Sequence, residues 1–220
     1  SDGWALYLKA SLLYEQGNID DAFAAVYAAL SVLNEELCIL HLYAKLMKEE
    51  GRLDEVLSIL DALGVHSGKG TSYRTDALHM CANFYAQTQR YEEAHTRYQK
   101  ALELSPKDTI LICDYAELCL KMENINEADN LVSNIFTNNA PVKLYEILAS
   151  IAVKKGEFTR AEITLKQGLN DYRNSTSDYC TLLINLTHLY IHSNKTDNAK
   201  ITLEELCSLE KSNRTEEAAR

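Results

Sequence analysis

Proline is nearly absent from this sequence, with 2 residues in 220, and glycine is scarce at 8. Both interrupt helices, so their scarcity excludes a loop-rich chain and points to a mostly helical one. No run of eighteen apolar residues occurs, so no membrane-spanning helix and no membrane insertion are expected. Paired cysteines are missing as well. The six cysteines, Cys38, Cys81, Cys113, Cys119, Cys180 and Cys207, form no CxxC pair, and the nearest two are six residues apart. That spacing excludes a zinc ribbon, and a disulfide framework does not suit a chain of this length. All six lie in apolar stretches and read as buried reduced thiols, which favours a reducing, cytoplasmic location. Positive charge is in deficit. A formal charge of -10 argues against nucleic acid as a ligand, since phosphate recognition needs a basic surface.

Signatures of chemistry are missing too. There is no GxSxG, no glycine-rich dinucleotide motif, no HExxH and no paired carboxylate dyad. The segment "GVHSGKG" at 64–70 lacks the spacing of a phosphate loop, and no strand precedes it, so it reads as a turn. His188 and His192 are four apart on one helix face, a spacing that can hold a metal, but no third ligand accompanies them. No catalysis, cofactor or metal is expected.

What the chain does have is internal repetition. The segment Thr75 to Asp108, "TDALHMCANFYAQTQRYEEAHTRYQKALELSPKD", places Leu78, Cys81, Ala82, Tyr85, Tyr91, Ala94, Tyr98, Ala101 and Pro106 at positions 4, 7, 8, 11, 17, 20, 24, 27 and 32. The same register fits units beginning near residues 3, 37, 109, 142 and 180. Successive starts are 34, 38, 34, 33 and 38 residues apart. Apolar residues recur at three- and four-residue spacing, the signal of amphipathic helices. Small residues hold positions 8 and 20 in most units, which lets the two helices of a hairpin cross closely. Gly17, Gly51 and Gly156 fall between the paired helices, where the chain turns through a left-handed residue. Gln89, Glu123 and Asn194 stand at that position in the other units. The two long spacings read as linkers, "GVHSGKGTSYR" and "DYRNSTSD".

This pattern resembles the tetratricopeptide repeat, over nearly the whole chain. Only the tail from Asn213 falls outside the register; "NRTEEAAR" begins like another helix and stops after two turns. The resemblance implies an all-α fold, a single right-handed superhelical solenoid over residues 1–220. About six helix-turn-helix units would stack because none can bury its apolar face alone. The sequence opens "SDGWALYLKA" without methionine and reads as a piece of a longer protein. Asp20, Asp21, Asp54, Glu55, Glu92, Glu93, Glu127 and Asp197 fall in first turns of second helices, where carboxylates favour the helix dipole.

In the family, a concave groove is lined by positions 2, 5, 6, 9, 12 and 13 of the first helices. Carried over residue by residue, these include Tyr7, Ser11 and Tyr14 in the first unit, His41 and Lys45 in the second, and His79 and Asn83 in the third. Asp114 and Glu117 follow in the fourth, Lys143 and Glu146 in the fifth, and Asn185 and His188 in the sixth. Six acids and five lysines among the groove positions leave it nearly neutral, with an apolar N-terminal third around Trp4. Trp4 either lines the groove or packs against an upstream repeat. The lysine and asparagine clamp with which some members hold acidic chaperone tails is matched by no run of three units. The implied function is a non-catalytic adaptor that docks a partner peptide or helix in the groove. The alternative is a scaffold segment of a larger assembly. It would contact neighbours through its ends, or self-associate through an uncapped last repeat whose apolar face lies exposed.

Overall fold

The computed structural model describes residues 2–133, 135 and 140–218, with backbone only for 210–218. Every regular element among them is a helix. In order these are α1 (Asp2–Glu15), α2 (Ile19–Val32), α3 (Leu37–Glu49), α4 (Leu53–His66), α5 (Thr71–Gln87), α6 (Tyr91–Leu104), α7 (Thr109–Lys121), α8 (Ile125–Val132), α9 (Val142–Lys154), α10 (Phe158–Asp171), α11 (Thr176–His192) and α12 (Thr196–Ala218). The chain divides into two compact units, Ser1–Leu111 and Ile112–Arg220. In the first, α1 pairs with α2, α3 with α4 and α5 with α6; α2 then meets α3, and α4 meets α5. In the second, α9 pairs with α10 and α11 with α12, and α8 meets α9 while α10 and α9 both meet α11.

One turn recurs six times and sets the hairpin geometry. Gly17, Gly51 and Gly156 have φ of 76°, 72° and 77°, and Gln89, Glu123 and Asn194 have 62°, 62° and 56°. The amide one residue further donates to the carbonyl five residues back: Asn18 to Leu13, Arg52 to Met47, Arg90 to Tyr85, Asn124 to Cys119, Glu157 to Ala152 and Lys195 to Tyr190, all at 2.8–2.9 Å. These bonds close each first helix and satisfy carbonyls that the helix leaves unpaired. The second helix then starts under a side-chain pair three residues apart. Asn18 donates to Asp21, Arg52 to Glu55, Arg90 to Glu93, Asn124 to Glu127 and Arg160 to Glu157.

Small side chains mark where the paired helices touch. Ala10, Ala44, Ala82 and Ala116 at position 8 are fully buried, as are Ala22, Ala94, Ala128 and Ala161 at position 20. Val56 at position 20 is equally buried. Thr187 takes the small position in the last hairpin, and its hydroxyl is satisfied by the Leu183 carbonyl and by Thr202.

Four expectations are corrected. The long spacings are mainly helix rather than linker: α4 runs on to His66, α5 begins at Thr71 and α11 at Thr176, four residues before the register start. Each of α5 and α11 thus gains a turn, 17 residues against 13 in α3, α7 and α9. The tail does not begin a new helix, because no glycine or proline interrupts Thr196–Ala218 and α12 continues through it. In the fourth unit α8 stops at Val132, so Ile135, expected on the second helix, lies beyond it. The Ser133 hydroxyl binds the Asn130 carbonyl there, competing with the helix ladder. Finally, Cys81, Cys113 and Cys119 are buried, but Cys38 and Cys180 are half-buried and Cys207 is exposed.

Candidate functional site

The first helices hold the positions expected to line a groove, so the candidate site is described on α1, α3 and α5 in the first unit and on α7, α9 and α11 in the second. On α1, Tyr7 and Ser11 are half-buried. The ring of Tyr7 meets Trp4 edge-on at 6.0 Å. The Tyr14 hydroxyl donates to Glu49 Oε1 of α3 at 3.0 Å. On α3, His41 and Lys45 are exposed. His41 lies 5.5 Å from the ring of Phe84 on α5. Partial loss of solvent around its ring, and then the Lys45 charge, push its pKa below the ordinary histidine value. On α5, His79 lies 5.9 Å from Tyr98, and Asn83 accepts the Tyr98 hydroxyl. Asn83 therefore serves the inside of its own hairpin.

In the second unit the charged candidates engage one another. Lys143 Nζ lies 2.5 Å from Asp114 Oδ1 and 2.6 Å from Glu117 Oε2. Lys121 Nζ lies 2.6 Å from Glu117 Oε1. Burial alone would lower the Lys143 pKa, but its bonds to Asp114 and Glu117 outweigh that and raise it. Burial likewise works against the Glu117 carboxylate, and Lys121 and Lys143 overcome it and hold its pKa low. These residues fasten α7 to α9. Asn185 Nδ2 donates to Glu146 Oε1 at 2.8 Å, joining α11 to α9 in the same way.

A cleft of about 280 Å³ opens between α9 and α11. Ala149, Val153, Leu165 and Leu189 line it with apolar surface; Glu146, Ser150, Lys154, Asn185, His188 and His192 supply its polar groups. Glu146, Asn185 and His188 were expected on this face, and the structure brings them together. Leu165 and Leu189 were not expected there. They are 2% and 5% exposed, so they back the cleft as packed interior residues. The reverse error also occurs. Leu42, Cys113, Leu120 and Ile147 fall at groove positions but are 6%, 1%, 8% and 4% exposed, so those positions are interior packing rather than open surface.

Among the described residues no three of His, Cys, Asp or Glu gather as a metal site, and no helix is long and apolar enough to cross a membrane. The arrangement offers shape, apolar surface and hydrogen-bonding groups.

The tetratricopeptide repeat family model matches residues 75–108, the unit whose pattern is most regular. A TPR repeat-containing protein of Treponema pallidum (strain Nichols) is 27% identical over 191 residues, which is 86% of this chain and 23% of that protein. The chain thus spans under a quarter of that relative's length. A tetratricopeptide repeat protein from Parabacteroides merdae shares the fold at a TM-score of 0.69 and 19% identity, over 94% of this chain and 79% of that one. The TPR-like repeats of a putative kinesin light chain from Podosopora anserina match at a TM-score of 0.66 and 14% identity, over 82% of this chain and 97% of theirs. With twelve helices in stacked pairs among the described residues, the chain has the fold of the tetratricopeptide repeat proteins, and residues 75–108 carry the family's repeat. Proteins of this fold act broadly through contacts with other proteins.

Proposed function

We propose that the chain is a non-catalytic adaptor that takes a segment of a partner protein, extended or helical, along the outer faces of its first helices. The observation that carries this reading is the α9–α11 cleft, an apolar pocket with a polar rim of the kind that anchors one side chain of a bound peptide. Ser150, His188 and His192 would supply its specificity, with Glu146 and Asn185 holding the walls. In the first unit, Tyr7, Ser11, His41, Lys45 and His79 would extend recognition. Asp114, Glu117 and Lys143 contribute by setting the spacing of α7 and α9. The free cysteines support a reducing, cytoplasmic setting, and the net charge of -10 supports a protein partner over nucleic acid.

The test is affinity capture from source-cell lysate with the native chain, with Ser150→Trp, which fills the cleft, and with Ile163→Trp on the exposed face of α10. The reading expects a partner captured by the native chain and by Ile163→Trp, and lost from Ser150→Trp with helical circular dichroism unchanged. Equal capture by all three contradicts it. The scaffold reading draws on a separate observation, the exposed apolar residues Trp4, Leu8 and Leu12 of α1.

A further inference from the structure

Position 13 of a first helix is tied down in α3, α5, α7 and α9. Glu49 accepts the Tyr14 hydroxyl at 3.0 Å, and Gln87 accepts from Lys48 at 3.0 Å. Lys121 pairs with Glu117 at 2.6 Å, and Lys154 with Glu123 at 3.5 Å. In α11 the same position is His192. Tyr14 and Lys48 both reach across from position 12 of the preceding first helix. Position 12 of α9 is Val153, which has no polar atom to offer. Among the described residues, His192 therefore has no hydrogen bond or ion pair, and neither does His188 one turn earlier at position 9.

Side chains at positions 9 and 13 of one helix can meet, as α7 shows. Glu117 and Lys121 occupy them there and lie 2.6 Å apart. His188 and His192 stand at the same two positions of α11, about 6 Å apart along one helix. Both are exposed and both line the α9–α11 cleft, so they share a face. The other groove histidines are placed differently, His41 against Phe84 and His79 against Tyr98. The charged groups facing the pair are Glu146 and Lys154 of α9. Glu146 takes the neutral Asn185 amide, and Lys154 is balanced by Glu123. These groups together leave a negative charge beside the two rings, and the C-terminal end of α11 adds the negative pole of its dipole. The surroundings favour a cation.

We propose that His188 and His192 together bind one divalent transition-metal ion, of the zinc, nickel and copper class, at the mouth of the α9–α11 cleft. Neutral imidazole is a preferred ligand of these ions. Two rings on adjacent turns of a helix close a chelate, and neither has an existing bond to lose. A third protein ligand is a requirement of closed structural sites. A two-histidine chelate is an open site, with water on the remaining positions of the ion. Because each ring must be deprotonated to bind, protons compete with the metal. This inference does not rest on peptide binding in the cleft.

Calorimetric titration of the 220-residue chain with nickel chloride tests it. Magnesium chloride serves as the control, since magnesium selects oxygen ligands. The native chain is expected to bind nickel at this site and to take up no magnesium there. His188→Gln and His192→Gln each keep a polar side chain on the exposed face, and each should weaken nickel binding about tenfold or more with helical circular dichroism unchanged. His66→Gln on α4 should leave it unaltered. Lowering the pH from about 7.5 to about 5.5 should weaken binding by the native chain as both rings take up protons. A native chain that binds no nickel, a glutamine variant at 188 or 192 that binds it as tightly as the native chain, or magnesium bound as tightly as nickel would overturn the proposal.

Discussion

Position 15 shows most clearly how one residue sets local structure. All six copies are left-handed, and three of them are not glycine. A side chain in this conformation costs about 1–2 kcal/mol relative to glycine, partly offset by the freedom glycine has in the unfolded chain. Gln89→Gly is therefore expected to stabilise the first unit by about 0.5–1 kcal/mol, measured as a shift of the urea midpoint at constant slope. A loss of stability would mean that the Gln89 side chain makes a contact outweighing its backbone strain. This position was legible in the sequence because its demand is local and recurs with the register. The partners of Asp114, Glu117 and Lys143 were not legible. Spacing put them on one face, but which charges close into pairs depends on how far α9 lies from α7, a distance that no single helix encodes.

At the scale of elements, the pairing of helices follows from the small residues at positions 8 and 20, and the sequence shows both. Where helices begin and end was harder to read. The starts of α5 and α11 were placed one turn late because "GKGTSYR" and "NSTSD" look like turns, yet Gly70 and Ser175 only precede the helices and the residues after them propagate freely. The close approach between hairpins also escaped the pattern. A Cβ added to Gly64 on α4 would sit 2.4 Å from Leu78 Cγ on α5, inside a buried contact. Gly64→Ala is accordingly expected to cost about 1–3 kcal/mol through overpacking, read by thermal or urea denaturation. Leu78→Val in that background should recover part of the loss. An unchanged midpoint for Gly64→Ala would show that α4 and α5 separate easily, contrary to the packing described.

At the scale of the molecule, the fold class was readable from the repeat register. The candidate site was readable only in part. First-helix positions identify which side chains face outward in an idealised unit, and Glu146, Asn185 and His188 do meet at one cleft. The buried state of Leu42, Cys113, Leu120 and Ile147 arises because neighbouring hairpins pack more tightly over those positions than the idealised unit implies. What remains is the α9–α11 cleft and the exposed apolar residues Trp4, Leu8 and Leu12 of α1.

The most direct test of the central claim is site-specific photo-crosslinking in source cells. The crosslinking residue is placed at Ser150 inside the cleft or at Ile163 on the exposed face of α10. The account predicts a discrete protein adduct from position 150 and none from position 163. Adducts of the same size and yield from both positions, or from position 163 alone, would contradict it.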